Sequence, residues 1–368
     1  VTQMEEKAGG IPGLKDFRFG RAVPAEDLLM AAIELANLVD AGIPLVGAVE
    51  TVASQTTQPQ LKEALESVSR ALEGGTPFAE ALSQQPEVFP KLMVSMMTAA
   101  QASGKMAEAL TRFAGFQEKD LALTREVTGA LTYPALLMLA CVLLTLIVVT
   151  FVVPQFSTLF GKVGIPLPLP TQIMSAVGQA IRTQWLSLSL LGIAGFFGLK
   201  HVVGIPRIRL RIDDTLLKLP VLGLVIHQIA VARLARVLAT LVSSGVPILD
   251  SLNFVREVSG NQVIFKEIDR VRSSIEHGER MAETLSVGKV FHPDAIAMIR
   301  VGEETGRLDL MLDKVADFYE LRTNFKLKQL TTLLEPLMLF VMGGMVALIM
   351  ASLLLPMFDL GKGLQHGG

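Results

Sequence analysis

The sequence predicts an all-α membrane protein, with two homologous cytoplasmic helical bundles of about six helices each and three transmembrane helices. Three observations lead to this fold class. Several long runs of the chain are apolar and free of charge, and the chain repeats itself at a spacing of about 203 residues. No segment shows the strict alternation of polar and apolar residues that is typical of a strand.

The composition supports a membrane protein and excludes several other classes. The 368 residues are 51% hydrophobic and only 18% charged, whereas an average soluble domain is about 25% charged. The net charge of −2 gives no general case for nucleic-acid binding. The single cysteine, Cys141, lies in an apolar run and can form no intramolecular disulfide. We predict no metal and no cofactor.

Three apolar runs are candidates for transmembrane helices, which need about 20 residues. The predicted spans cover about 131–153, 183–204 and 330–358. Prolines bracket the first and last spans, and we interpret them as helix boundaries. The middle run is shorter, so a buried helix of a soluble domain is the alternative for it.

Lysine and arginine flank the spans unevenly, and this sets the predicted orientation. They cluster before the first span, after the second and before the third, so the N-terminal and middle regions are predicted to be cytoplasmic. The connection 154–182 holds Pro166, Pro168 and Pro170, and we expect a short, stiff, extended link outside the cell membrane. The resulting parts are a flexible N-terminal segment 1–24, a first bundle 25–126, spans one and two with their external loop 127–205, a second bundle 206–329, span three 330–358 and an external tail 359–368.

The internal repeat includes both the bundles and the spans. Residues 38–45 align with 241–248 at an offset of 203, and Gly104 aligns with Gly306 at an offset of 202. At the second offset Pro134 meets Pro336, and Pro154 meets Pro356. The repeating unit is therefore a cytoplasmic bundle followed by its own transmembrane helix, and the second span returns the chain to the cytoplasm.

Two sequence motifs recur within this repeat. The first is an L-x-x-x-G-[IV]-P-[LI] step, and the second is a G-E-x-[ST]-G-x-L element, seen best in Val301–Asp309 and followed by Phe318-Tyr319-Glu320. Together with the repeat and the spans, they resemble the platform protein family of type II secretion and type IV pilus systems. Copy one departs from the pattern, because Gln101 and Ala102 stand where copy two has the acidic pair.

The resemblance implies a non-enzymatic platform in the bacterial inner membrane, multi-pass, with a cytoplasmic N-terminus and a periplasmic C-terminus. It implies contact with a cytoplasmic hexameric assembly ATPase, with pilin or pseudopilin subunits and with other inner-membrane assembly proteins. It also implies coupling of that motor to pilin extraction and polymerisation, by a homo-oligomer in the lipid bilayer. A membrane adaptor or a transporter subunit with cytoplasmic helical domains is the alternative. The chain carries no phosphate-binding loop, no H-E-x-x-H and no G-x-S-x-G, so we predict no catalytic site.

The candidate residues for partner binding have structural alternatives. The helix–turn–helix element can be a simple link, a partner contact or a weak metal site, and the Gly-x-Pro steps can be chain reversals only. Glu335, at the membrane edge of the third span, can be an interfacial cap or a functional charge. The arginines after the second span can be a headgroup anchor or a docking site. The candidates are Gly302, Glu303, Glu304, Gly306, Arg307, Gly104, Gly42, Pro44, Gly245, Pro247, Glu335, Arg207, Arg209 and Arg211.

Overall fold

The computed structural model of the protein describes residues 23–162, 169–203, 222–258, 262–288 and 290–365. Within these ranges all regular elements are helices and no strand is present, which confirms the predicted all-α fold class. The predicted flexible segment falls almost wholly on residues 1–22, outside the described ranges. The chain divides into two compact units, residues 1–118 with 244–246, and residues 119–243 with 247–368.

The first copy of the repeat contains six helices. Short apolar faces hold them together: in the third helix Leu61, Leu65 and Val68 recur at helical spacing and are buried. Pro59 stands at the first position of that helix, where a missing N–H costs no hydrogen bond. The helices are α1 Ala25–Asp40, α2 Leu45–Gln55, α3 Pro59–Glu73, α4 Phe78–Ser83, α5 Lys91–Ser103 and α6 Met106–Ile147.

The described residues of the second copy also form six helices, and further helical segments lie between the two copies. The connection consists of a π-helical turn Val148–Val152, α7 Val153–Lys162 and α8 Leu169–Val203. The second copy consists of α9 Leu222–Ser243, α10 Ile248–Val258, α11 Gln262–Glu276, α12 Met281–Val287, α13 Pro293–Thr305 and α14 Leu308–Gln365.

The backbone follows the sequence repeat residue for residue. Helices α10, α11 and α12 begin 203 residues after α2, α3 and α4, and α13 and α14 begin 202 residues after α5 and α6. Glycines with a positive φ recur at the same offsets, since a residue without Cβ adopts this conformation at little cost. The pairs are Gly42 and Gly245 (+85° and +86°), Gly75 and Gly278 (+85° and +82°), and Gly104 and Gly306 (+71° and +68°).

The prolines do not mark helix boundaries, and this prediction was wrong. Pro134 lies inside α6 rather than in the first turn of a helix. Helix α14 begins well before Pro336 and continues past Pro356 to its end at Gln365. Both long helices therefore run from the end of a bundle into an apolar segment without a break at the predicted start of the span.

The chain accommodates Pro154 and Pro356 in two different ways. A proline cannot donate to the carbonyl four residues before it, and its ring crowds that carbonyl. Before Pro154 the helix widens into the π-helical turn, which makes room for the ring, and α7 then continues. Pro356 frees the carbonyl of Ser352, which instead accepts a hydrogen bond of 2.7 Å from the buried hydroxyl of Thr171 in α8.

In its described residues, 154–162 and 169–182, the connection between the first two predicted spans is helical and not extended as predicted. Pro166 and Pro168 of the predicted link lie outside the described residues. Helix α8 packs against α7 and the π-helical turn, where Val149, Val153 and Met174 are buried together. A Cβ on Gly178 would lie 2.2 Å from the carbonyl oxygen of Val149, so the two backbones touch here. Helix α8 bends at Gln184, beside the predicted start of span two at residue 183.

Three helical stretches in the described chain are long and apolar enough to cross a membrane: Met106–Thr158, Gly223–Ser243 and Leu308–Ser352. The first includes the predicted span 131–153, and the third includes residues 330–352 of the predicted span 330–358. The second belongs to α9, and 67% of its apolar window is buried, against 6% for α14. Because α9 is the repeat counterpart of α1 and is covered by protein, we assign it to the second bundle. The predicted span 183–204 lies mostly in the second half of α8 and stays a prediction.

Candidate partner-binding surface

The Val301–Asp309 element joins the end of α13 to the start of α14. Gly306 follows α13 in the left-handed conformation, and the N–H of Arg307 donates to the carbonyl of Gly302 at 3.0 Å. These contacts close the helix end and redirect the chain within two residues. The sequence prediction of a Gly-centred link between two helices is therefore met by the geometry, and Gly104 does the same in copy one.

Gly302 allows α13 and α14 to approach closely. A Cβ on this residue would lie 2.9 Å from the Cβ of Met311, closer than side-chain atoms normally come. Its counterpart in copy one is Ala100, which is buried as well. The second copy therefore packs these two helices more tightly than a side chain at this position would permit.

The carboxylate of Glu303 caps the N-terminus of α12. Its two oxygens accept hydrogen bonds from the backbone N–H of Met281 at 2.6 Å and of Ala282 at 2.9 Å. Helix starts carry unpaired N–H groups and a positive partial charge, so an anion there is stabilising. In copy one the side-chain oxygen of Gln101 accepts from the N–H of Ala79 at 3.0 Å. Copy one thus keeps one of the two hydrogen bonds and lacks the charge.

Replacing Glu303 tests this capping role. We expect Glu303→Ala to lower the free energy of unfolding by about 1–2 kcal/mol, since two buried donors lose their acceptor. Glu303→Gln should retain most of the stability, because Gln101 already performs the task in copy one. Thermal unfolding of the purified protein in detergent micelles measures both changes. The control is Glu304→Ala. Equal losses of stability for Glu303→Gln and Glu303→Ala would contradict a capping role.

Glu304 differs from its neighbour because its side chain faces solvent. It is 53% exposed, and its nearest cation is Arg280, 61% exposed, at 3.8 Å. A surface ion pair of this kind contributes little to stability. Glu304, Arg280 and Arg307 therefore remain free to meet a partner. Within the described residues no group of three or more His, Cys, Asp or Glu could hold a metal ion.

The other predicted candidates lie at separate places in the chain. Gly42 with Pro44, and Gly245 with Pro247, form exposed turns between helices. Glu335 is exposed within α14 and does not cap a helix start, because the helix begins at Leu308. The arginines 207, 209 and 211 fall outside the described residues. The geometry gathers only the Val301–Asp309 element into one surface.

Sequence reasoning missed a charge cluster centred on Arg236. This residue lies in α9 and is only 4% exposed. One guanidinium nitrogen donates to Asp317 at 2.8 Å and to Glu320 at 2.7 Å, and the other donates to Asp313. All three carboxylates belong to α14. The cluster clamps α9 to the part of α14 that precedes the third predicted span.

The same cluster includes two residues of α6. Lys119 approaches Asp317 at 3.3 Å and Asp313 at 3.7 Å, while Asp120 accepts from Arg233 at 2.7 Å. Burial alone would raise the pKa of Asp317, but the hydrogen bond and charge of Arg236 outweigh it and leave that pKa lowered. The group therefore stays ionised at neutral pH.

The charge cluster has no equivalent in copy one. The positions of Arg236, Asp313 and Asp317 are taken there by Ile33, Thr111 and Gly115. The sequence does contain a signal of this cluster. Asp313, Asp317 and Glu320 share one helix face, and Arg236 is a charge within an apolar helix. The pairing between these two segments is visible only in three dimensions.

The paired bundles and long helices agree with the comparisons to known proteins. A family model described as "Type II secretion system (T2SS), protein F" matches residues 31–154 and again residues 234–356. The chain belongs to this family. The two matches are offset by 203 residues at their starts and by 202 at their ends, as are the helices. The second match includes Arg236, its three carboxylates and Glu303.

Curated relatives carry names from both kinds of system. The type IV pilus assembly protein PilC of Thermus thermophilus is 37% identical over 98% of this chain and 89% of its own length. The protein of the same name from Myxococcus xanthus is 34% identical over 96% and 84%. The type II secretion system protein F of Xanthomonas campestris is 32% identical over 98% and 89%. The resemblance drawn from the repeat and its motifs is thereby confirmed.

Proposed function

We propose that this protein is a non-enzymatic platform in the bacterial inner membrane. It couples a cytoplasmic hexameric assembly ATPase to the extraction and polymerisation of pilin or pseudopilin subunits. The observation that carries the proposal is the double family match, combined with relatives named for type IV pilus assembly and type II secretion. In the proposed orientation both bundles and the N-terminus are cytoplasmic, and the C-terminus is periplasmic.

The unequal charge of the two bundles supports two different partners. Residues 25–118 hold 12 acidic and five basic side chains, whereas residues 222–329 hold 14 of each. A strongly acidic surface attracts a different partner from a surface of mixed charge. The two bundles share one fold, and each can bind a different partner protein.

The exposed residues around the Val301–Asp309 element connect a cytoplasmic contact to the membrane. Glu304 is exposed at the α13–α14 turn, and Arg280, which precedes α12, is exposed beside it. Helix α14 runs from this turn into the apolar segment as one helix. A protein that binds the turn therefore acts on the same rigid element that carries the third predicted span.

Site-specific photocrosslinking in filament-producing cells tests the proposal. A crosslinker is placed at Glu304 and, in a second strain, at its copy-one counterpart Ala102, because both positions are exposed. We expect capture of an assembly ATPase and of a pilin or pseudopilin. The matched control is Val315, which is fully buried. Capture of neither partner from either copy would overturn the coupling role, and capture of a transport substrate would favour a transporter subunit.

A further inference from the structure

A groove runs between α6 and α14 just before both helices reach their predicted spans. Its walls include Glu126 and Ala130 from α6, and Leu321, Asn324, Phe325 and Lys328 from α14. The surface of the groove is mostly apolar, with one carboxylate and one ammonium along it. The platform role proposed above makes no use of this groove.

The depth of the groove matches the headgroup layer of a membrane. Glu126 lies five residues before the predicted span at 131, and Lys328 lies two residues before the span at 330. At a rise of 1.5 Å per residue these positions are about 8 Å and about 3 Å from the hydrocarbon. The interfacial layer on each side of a bilayer is roughly 5–8 Å thick. Both charges are therefore placed where lipid headgroups lie.

The groove combines groups that suit a headgroup carrying both charges. Phe325 is 66% exposed and lies about one helical turn from Lys328. An aromatic face beside a carboxylate, as with Phe325 and Glu126, favours an ammonium group. Asn324 adds an oxygen that is buried and has no hydrogen-bond partner among the described residues, and rotation of its side chain would present it to a donor.

We propose that this groove binds one zwitterionic phospholipid whose headgroup ends in a primary ammonium, as in phosphatidylethanolamine. Lys328 donates to the phosphate, and Glu126 accepts from the ammonium beside the ring of Phe325. The acyl chains pass Ala130 toward the bilayer. A primary ammonium has three donors for Glu126 and Asn324, whereas a quaternary ammonium has none, so the site selects against phosphatidylcholine.

The test is lipid retention by the full-length protein, measured by native mass spectrometry after detergent extraction. The probes are phosphatidylethanolamine, phosphatidylcholine and phosphatidylglycerol with identical acyl chains. We expect preferential retention of one phosphatidylethanolamine. Glu126→Gln and Lys328→Gln should each reduce that retention about tenfold, the value of one charge-assisted hydrogen bond. Glu126→Asp and Lys328→Arg should keep it within about threefold.

Matched controls are Glu118→Gln, earlier on α6, and Lys326→Gln, which removes a cation whose partner is Gln329. Neither residue lines the groove. The proposal would be overturned if phosphatidylglycerol were retained as well as phosphatidylethanolamine and Glu126→Gln had no effect. Attraction of any anionic phosphate by Lys328 would then explain the retention. Equal retention of all three lipids, or a protein dimer that excludes them, would overturn it as well. The inference rests on membrane insertion alone, so its failure leaves the crosslinking test of the platform role unaffected.

Discussion

Arg236→Met should lower the free energy of unfolding by about 3 kcal/mol. Removing one side of a buried ion pair leaves uncompensated charge, with typical losses of about 3–5 kcal/mol. The lower end applies because Asp313 and Asp317 are 40% and 41% exposed, so water takes over part of the solvation. The variant keeps three carboxylates on α14 with only the exposed lysines Lys119 and Lys314 nearby. Chemical denaturation of the purified protein in detergent micelles measures the change.

Arg233 provides the matched control one turn earlier on α9. Its side chain is 47% exposed, and among the described residues its one ion-pair partner is Asp120 at 2.7 Å. We expect Arg233→Met to cost less than about 1 kcal/mol, as exposed pairs do. If the two variants lose equal stability, burial of Arg236 is not what makes the cluster important.

Gly178→Ala should disrupt the packing of α8 against the π-helical turn. The new Cβ would lie 2.2 Å from the carbonyl oxygen of Val149, and this neighbour is backbone that cannot rotate away. Overpacking a well-filled contact costs about 1–3 kcal/mol, and a backbone clash falls at the top of that range. Thermal unfolding in micelles gives the loss of stability. Protease sensitivity of residues 154–182 gives its location.

Gly195 is the matched control on the same helix. A Cβ added there meets no atom within 4 Å. Gly195→Ala should therefore leave stability unchanged or raise it slightly, because alanine favours helix by about 1 kcal/mol. A loss of stability at Gly195 equal to that at Gly178 would show that α8 does not approach Val149 as closely as described.

The repeat made much of the fold predictable. The Gly-x-Pro step at Gly42 and its counterpart at Gly245 identified helix ends directly, because the left-handed conformation strongly favours glycine. The number of helices in each bundle followed from the same spacing. The family was predictable from the motif around Gly302 together with the repeat and the spans. The glycine and glutamate positions of this motif coincide with the link between two helices.

The prolines misled the prediction for a physical reason. A proline usually ends a helix, because it has no N–H for the carbonyl four residues before it and its ring crowds that carbonyl. Pro356 sits where another helix supplies a hydroxyl, Thr171, and Pro154 sits behind a widened turn. Neither compensation can be seen from the proline alone.

The candidate site was predictable only in part, because Glu303 caps a helix and Arg236 finds its partners about 80 residues away in sequence.

Helix α14 has a mechanical consequence. Its 58 residues form one helix from Leu308 to Gln365, a rod of roughly 85 Å at 1.5 Å per residue. A rod of this length turns each degree of tilt at the Gly306 link into about 1.5 Å of travel at its far end. Because Arg236 ties α9 to the first third of the rod, a small rotation of the second bundle would become a large sideways displacement at the far end of the rod.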